Sequence, residues 1–368
     1  MPELKVIVSG GGTGGHIFPA IAIADAIKAA DPNAKILFVG ANGKMEMEKV
    51  PAAGYEIKGL NIVGLQRRLT LKNLAFPFKL MASMKAAKKI VREFNPDVAV
   101  GVGGYASGPL LKVAGRQGVA TVLQEQNSYP GLTNKLLAKK AKKICVAYDN
   151  MDRFFDPAKI VLTGNPVRES VVQIEGKRDE ALKAFNLDPN KKTLLVIGGS
   201  LGARTVNEAI KAAMPLFKEN DLQVIWQTGK YYGEEMIQAA NEFGYDGIHP
   251  SAFITTMDLA YSAADCVVSR AGAISISELC LIKKPVILVP SPNVSEDHQT
   301  KNAMALVEKN AAILIKDVEA VQTLGGAVVE LFNNSEKQQE LSENIAKLGK
   351  RNAANAIREE IIKLSKEK

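Results

Sequence analysis

Lys5-Val6-Ile7-Val8-Ser9-Gly10-Gly11-Gly12-Thr13-Gly14-Gly15 opens the chain with an apolar run that stops on a glycine-rich stretch. A helical pattern follows from about Pro19 to Ala30. A buried strand, a sharp glycine turn and a helix are the repeating parts of a parallel sheet covered by helices on both faces. The same parts start again at Thr193–Ile197, with Gly198–Gly202 as the turn and a helix from about Thr205. Between these starts, strands are expected at Lys35–Gly40, Asp97–Val102, Ala120–Gln124, Ile144–Ala147 and Ile160–Leu162. After the second start they are expected at Gln223–Gln227, Cys266–Ser269 and Pro285–Val289. The fold class is therefore α/β, with two doubly wound parallel-sheet domains. Thr163-Gly164-Asn165-Pro166 reads as a hinge, because Gly and Asn-Pro form turns. The end, from about Ser335 to Lys368, reads as helical and charged.

The 368 residues are enough for two cores. The net charge of +8 is unevenly spread: Lys and Arg number 23 against 12 Asp and Glu up to Pro166, and 24 against 27 afterwards. A basic first half calls for an anionic partner or surface. No run of about 18 apolar residues occurs, so no segment is expected to span a bilayer. No basic and apolar leader precedes the first strand, so no signal peptide is expected. Cys145, Cys266 and Cys280 lack the spacing of a zinc site or disulfide framework, which fits a reducing cytoplasm.

Three glycine-rich loops each follow a strand and precede a helix: Gly10–His16, Gly101–Pro109 and Gly198–Arg204. Such loops bring backbone N–H groups and a helix N-terminus close to an anion. Any one of them could also be a tight turn that needs glycine for shape alone. None closes on Gly-Lys-Ser/Thr, which disfavours a P-loop nucleotidase. The second strand ends at Val39-Gly40-Ala41-Asn42 without a carboxylate for a ribose, which disfavours a nicotinamide or flavin enzyme.

A fourth segment, Ser269-Arg270-Ala271-Gly272-Ala273-Ile274-Ser275-Ile276-Ser277-Glu278, also follows a strand, with a helix expected near Ser275. Glu278 would sit in its first turn or soon after. There it could accept hydrogen bonds from both ribose hydroxyls, or simply complement the helix start. Some twenty residues on, His298, Gln299 and Asn302 suit sugar hydroxyls, or a solvated helix start.

The stretches GGGTGGHIFPA, GVGGYASGP, EQN, GLTNK, TGNPVR, GGSLGAR, SRAGAISISE and HQTKNA, in that order from Gly10 to Ala303, resemble the MurG family. Its members are UDP-N-acetylglucosamine: undecaprenyl-pyrophosphoryl-MurNAc-pentapeptide GlcNAc transferases of bacterial peptidoglycan synthesis. The resemblance implies a GT-B fold, with two Rossmann-like domains facing across a cleft. Residues 1–166, joined by a returning C-terminal helix at about 347–368, would form the acceptor and membrane-facing domain. Residues 167–346 would form the UDP-GlcNAc-binding domain. It further implies roles for the donor. Ser200 would meet the pyrophosphate with Arg168 nearby, Ile254 the uracil through its backbone, and Glu278 the ribose. Ala273, Ile274, Ser275, Ile276 and Ser277 would supply contacts around the pyrophosphate and nucleoside, and Gln299 would hold the GlcNAc hydroxyls. Thr13, Gly14, Gly15 and Asn127 would face the sugar. Many members carry a glutamine where this chain has His298.

Attack by the MurNAc C4 hydroxyl on an α-linked donor to give a β-linkage is an inverting displacement that needs a general base. His16 is the expected base, since its ordinary pKa suits proton acceptance near neutrality; its alternative role is to cap the turn or orient the donor. No DxD motif occurs, so no metal and no cofactor are expected, with helix termini and Arg168 stabilising the departing UDP. Gly103, Gly104, Tyr105 and Ser107 are expected to cradle the acceptor diphosphate. From Ile57 to Arg92 there are nine basic residues and no acidic one, interleaved with Leu65, Leu69, Leu71, Leu74, Phe76, Phe78, Leu80 and Met81. That stretch (57–92) is expected to adsorb to anionic lipid at the cytoplasmic face of the membrane. Lys135, Lys139, Lys140, Lys142 and Lys143 add to it, while Leu80, Met84, Ala87, Val91 and Phe94 would face the core. The expected partners are thus UDP-GlcNAc, undecaprenyl-linked lipid I and an anionic membrane surface, with no nucleic acid. The rival readings are another GT-B enzyme (a UDP-GlcNAc 2-epimerase or a transferase to a soluble acceptor) and a non-catalytic nucleotide- or nucleic-acid-binding module.

Overall fold

The computed structural model describes residues 3–62 and 76–367. The chain divides into two compact units, Met1–Val167 with Arg351–Lys368, and Arg168–Lys350.

In the first unit, strands β1 (Lys5–Gly10), β2 (Lys35–Ala41), β3 (Glu56–Leu60), β4 (Val98–Gly103), β5 (Ala120–Glu125), β6 (Lys143–Val146) and β7 (Ile160–Leu162) form one sheet in the order β3-β2-β1-β4-β5-β6-β7. Every pairing is parallel. The central strands are buried along nearly their whole length, as their unbroken Val and Ile runs require. Among the helices are α1 (Gly14–Ala30), α2 (Glu46–Ala52), α3 (Phe76–Phe94), α4 (Ser107–Arg116) and α5 (Leu132–Ala138). Helix α1 starts at Gly14, five residues before the expected start at Pro19. Pro19 lies inside the helix, where its missing N–H leaves the Gly15 carbonyl without its i+4 bond. His16 is therefore in the first helical turn and not at the end of a loop.

In the second unit, β8 (Thr193–Ile197), β9 (Gln223–Gln227), β10 (Ile248–Ser251), β11 (Cys266–Ser269), β12 (Val286–Leu288) and β13 (Ile313–Leu314) pair in parallel in the order β10-β9-β8-β11-β12-β13. Its helices include α6 (Glu169–Val172), α7 (Arg178–Ala184), α8 (Arg204–Glu219), α9 (Gly233–Phe243), α10 (Met257–Ala263), α11 (Ala273–Ile282), α12 (His298–Val307), α13 (Ala320–Asn333) and α14 (Ser335–Leu348). The core of Val196, Val224, Trp226 and Val268 packs on α8 and α13 through Ile210, Phe217, Leu324 and Val328. A break at residues 349–352 ends α14, and α15 (Ala353–Ser365) returns to the first unit. There Ile357, Ile361 and Leu364 share a core with Ile17, Ile23, Ile27 and the underside of β1 and β4.

In each sheet the strand order reverses once, between β1 and β4 and between β8 and β11. A doubly wound sheet opens a crevice at the carboxyl ends of the strands at such a point. The glycine loops after β1 and β4 flank the first crevice, and the loops after β8 and β11 flank the second.

Candidate functional site

The second unit's crevice begins where β8 and β11 run side by side, with Ile197 opposite Ser269 and Arg270 N–H reaching Ile197 O at 3.4 Å. The loop after β8 carries the exposed Ser200 and is tied down by Lys230 N–H to Ser200 O at 3.0 Å. The loop after β11 leads into α11, which starts at Ala273, two residues before the expected Ser275. Its N-cap is Gly272, which has no side chain to cap it, and its first turn holds no acidic residue. The first intrahelical bond runs from Ile276 N–H to Gly272 O at 2.9 Å. The helix dipole and the amides of Ala273, Ile274 and Ser275 make this start favourable for negative charge. Ser277 is turned back on the helix, its hydroxyl donating to Ala273 O at 3.0 Å.

Glu278 lies in the second turn of α11. Its Oε2 accepts a hydrogen bond from the Tyr261 hydroxyl at 3.0 Å. Tyr261, on α10, is only 1% exposed. Burial pushes the Glu278 carboxyl above the usual carboxylate range, and the Tyr261 hydrogen bond and the Arg168 charge partly offset this. Burial and the Glu278 charge push the Tyr261 phenol well above its ordinary value, so it stays a donor. Arg168 is the exposed N-cap residue of α6, and its charge reaches both groups.

Gln299 is fixed by two main-chain donors. Its Oε1 accepts from Ser291 N–H at 2.8 Å and from Ala271 N–H at 3.2 Å. That choice sets the amide orientation and leaves Nε2 as the donor end. Asn302, expected beside it among groups for sugar hydroxyls, is 1% exposed, and its Nδ2 points to Ala271 O at 3.4 Å. It fastens α12 to the β11 loop and is removed from the ligand set. His298 Nε2 stands 3.6 Å from Glu296 Oε2. The Ile254 N–H donates to Gln227 Oε1 at 3.4 Å. Arg270 binds the Val289 and Pro290 carbonyls and pairs with Asp317, which accepts from Thr205; this network joins the ends of β11 and β12 to the start of α8.

The first unit's crevice is filled differently. Gly11 N–H reaches Gly103 O at 3.4 Å. A Cβ on Gly104, whose φ is +90°, would stand 2.3 Å from Gly11 O, and one on Gly103 would meet the His16 ring at 2.7 Å. Only glycine lets the two loops touch with the imidazole laid across them. Beneath them Glu46, 1% exposed, accepts from Gly12 N–H at 2.9 Å and from Ala41 N–H at 3.0 Å. His16 Nδ1 lies 3.1 Å from Gly11 O and 3.3 Å from Thr13 Oγ1. A carbonyl can only accept, so Nδ1 carries a proton, and in the neutral ring the lone pair is on Nε2.

Asn127 is held by Glu125, whose Oε1 accepts from both its N–H (3.0 Å) and its Nδ2 (3.1 Å). Oε2 of the same buried carboxylate accepts from Gly131 N–H and Asn134 Nδ2. Thr13 and Gly15 are exposed beside His16, Gly14 is half-buried there, and Tyr105 is exposed beyond Gly104. Ser107 corrects the expected diphosphate cradle. Its side chain is fully buried, and the hydroxyl is directed at the Ser9 and Gly103 carbonyls, 2.9 and 2.8 Å away. It braces the loop from within.

Sequence reading missed Tyr261, Glu46 and the bracing role of Glu125. Only Glu125 gave a signal, a carboxylate ending a buried apolar strand. The three cysteines are buried and free. Among the described residues no cluster of His, Cys, Asp or Glu is arranged to hold a metal ion, and no helix is long and apolar enough to cross a membrane.

Residues 6–146 match the glycosyltransferase family 28 N-terminal domain, and residues 193–357 match the family 28 C-terminal domain. A protein of Phocaeicola vulgatus named UDP-N-acetylglucosamine--N-acetylmuramyl-(pentapeptide) pyrophosphoryl-undecaprenol N-acetylglucosamine transferase is 57% identical over 99% of this chain and 97% of its own. The chain belongs to the MurG family of glycosyltransferases. The MurG crystal structure from Acinetobacter baumannii shares the fold, with a TM-score of 0.79 at 24% identity over 98% of this chain and 100% of that one. The UDP-GlcNAc 2-epimerase of Neisseria meningitidis, solved with UDP-GlcNAc, matches at a TM-score of 0.68 and 14% identity, over 98% of this chain and 100% of that one. At such identity the epimerase likeness extends to the fold alone. As a MurG-family member the chain is a GT-B enzyme, each of its units a doubly wound parallel sheet.

Proposed function

We propose that this chain transfers GlcNAc from UDP-GlcNAc to the C4 hydroxyl of MurNAc in undecaprenyl-pyrophosphoryl-MurNAc-pentapeptide, with inversion at the sugar. The observation that carries this reading is identity at more than half of all positions, over 99% of the chain, to a protein named for that transfer. The second unit supports the donor half. Glu278 Oε1 accepts from the ribose hydroxyls while Oε2 is held by Tyr261. The Ile254 carbonyl meets the uracil, and Gln299 Nε2 donates to the GlcNAc hydroxyls. Ser200 and the start of α11 receive the pyrophosphate, with Arg168 beside them.

In the first unit, His16 Nε2 takes the proton of the acceptor hydroxyl as its oxygen bonds to the sugar C1. The bond from C1 to the UDP oxygen breaks, and its electron pair leaves with UDP. The amides of the α11 start and the Arg168 guanidinium stabilise the charge that develops on the leaving phosphate. Thr13, Gly14, Gly15 and Asn127 serve the sugar, and the main chain at Gly103 and Gly104, with Tyr105, the acceptor diphosphate.

The acceptor's lipid places the reaction at a membrane surface. Residues 63–75 of the basic and apolar stretch 57–92, with Leu65, Leu69, Leu71 and Leu74, lie outside the described residues. On α3, Ala87, Ile90 and Val91 are buried in the core with Leu80, Met84 and Phe94 packed against it. Phe78 and Met81 are exposed on the same helix as Lys79, Lys85, Lys88 and Lys89. On α5, Leu132 and Leu136 are exposed near Lys135, Lys139 and Lys140. This combination supports peripheral binding to anionic lipid at the cytoplasmic face. Sedimentation with phosphatidylglycerol vesicles tests it: Phe78→Gln with Met81→Gln should leave more protein in the supernatant, and unchanged partitioning would contradict it. The activity itself is tested by incubating the protein with labelled UDP-GlcNAc and a lipid I analogue. Labelled disaccharide lipid is expected; release of free sugar or an epimerised nucleotide sugar without it would overturn the reading.

A further inference from the structure

We propose that Tyr261 is a positioning residue for the donor nucleoside: its buried hydroxyl holds Glu278 Oε2 and so presents Oε1 to the ribose. The proposal rests on the reading of Glu278 as the ribose contact. A glutamate side chain has three rotatable bonds, and ordering it when the nucleotide arrives would cost affinity. Here that ordering is built in beforehand. Tyr261 sits on α10, which is anchored at both ends. The Lys177–Asp258 ion pair, 2.6 Å long, fixes its start, and Ser262 Oγ donates to Ile174 O at 3.0 Å near its end. The phenol ring is buried, so its hydroxyl has one direction in which to point, and the 3.0 Å bond to Glu278 lies along it.

A buried tyrosine hydroxyl needs an acceptor, and a main-chain carbonyl would serve packing equally well. In this fold the acceptor is the one carboxylate on α11, in its second turn. The same bond supports the ionised form of a group that burial otherwise disfavours, with Arg168 acting in the same direction. Tyr261 therefore links the α10 scaffold to nucleoside recognition without touching the ligand.

Titration calorimetry of the full chain with UDP tests this, using Tyr261→Phe, Glu278→Gln and the double variant, each checked for folding by thermal unfolding. Tyr261→Phe should weaken UDP binding about five- to tenfold, within the range for the net worth of one ordinary hydrogen bond. Glu278→Gln should weaken it further, and the double variant should bind no more weakly than Glu278→Gln alone. UDP lacking both ribose hydroxyls should bind wild type and Tyr261→Phe alike. The proposal is overturned if the losses multiply in the double variant, or if Tyr261→Phe weakens the dideoxy nucleotide as much as UDP. An unchanged affinity in Glu278→Gln would sink the ribose assignment itself. A loss in Glu278→Gln with none in Tyr261→Phe would sink only the role of the tyrosine.

Discussion

The two units carry the same plan, a doubly wound sheet with two glycine loops at its switch point, yet they fill that point with opposite charge. In the first, the Glu46 carboxylate lies under the loop and takes the Gly12 N–H, while Gly11, Gly103 and Gly104 close on the His16 ring. In the second, the N-cap residues of α11 and α8 are Gly272 and Ala203, which make no side-chain cap, and no acid lies in either first turn. Its carboxylate, Glu278, sits a turn further on and faces a tyrosine. Glycine loops of one kind therefore serve two ends. In the proposed function, one set holds the proposed base, His16, in a fixed tautomer, and the other directs helix amides at the proposed pyrophosphate site.

That division predicts variants that separate binding from turnover. The largest effect is expected from His16→Ala, which should lower kcat about 10²- to 10⁴-fold, the usual contribution of a general base. Next, Glu278→Ala should weaken UDP binding about tenfold or more in calorimetry, through loss of charged hydrogen bonds. Glu46→Gln exchanges one of two acceptor oxygens for a donor facing an N–H. It should destabilise the first unit by about 1–3 kcal/mol in denaturant unfolding and reduce turnover, with UDP affinity intact.

A smaller effect follows from the raised Glu278 carboxyl. Only the ionised form accepts from both ribose hydroxyls, so UDP affinity should decline as pH falls through this raised value. The decline therefore begins at higher pH than for an ordinary glutamate near 4.3. The stability sign is the reverse. The neutral form suits the buried site, so its contribution is full at low pH and is lost as pH rises through the folded value. Glu278→Gln should then raise the melting temperature at pH 7, seen by calorimetry without ligand. The smallest expected effect is none: excess chelator should leave turnover unchanged, because helix amides and Arg168 serve the leaving phosphate.

The central strands were legible because burial on both faces demands unbroken apolar runs; Thr193–Ile197, Gln223–Gln227 and Cys266–Ser269 fall where the sequence puts them. The strands that escaped, Glu56–Leu60, Ile248–Ser251 and Ile313–Leu314, lie at sheet edges. An edge strand tolerates charge, proline and brevity, so β3 carries Glu56 and Lys58 and β10 carries Pro250. Glu278 and Gln299, the proposed donor contacts, stand out in the sequence because they follow glycine-rich or proline-bounded turns. Tyr261 and Glu46 were not, since a tyrosine or an acid inside a helix carries no local mark. Their roles arise from contacts across 17 residues for Tyr261 and 34 for Glu46. Ser107 misled for the same reason: a hydroxyl after a glycine loop resembles a phosphate ligand until the fold turns it inward.

The division of labour is tested most directly by measuring UDP-GlcNAc affinity and single-turnover transfer to a lipid I analogue on His16→Ala and Glu278→Ala side by side. The account predicts that His16→Ala keeps wild-type affinity and loses the chemical step. Glu278→Ala should lose affinity and recover most of its rate at saturating donor. If His16→Ala weakens the donor as much as Glu278→Ala does, or transfers at the wild-type rate, His16 is not the base and the contrast between the two crevices falls.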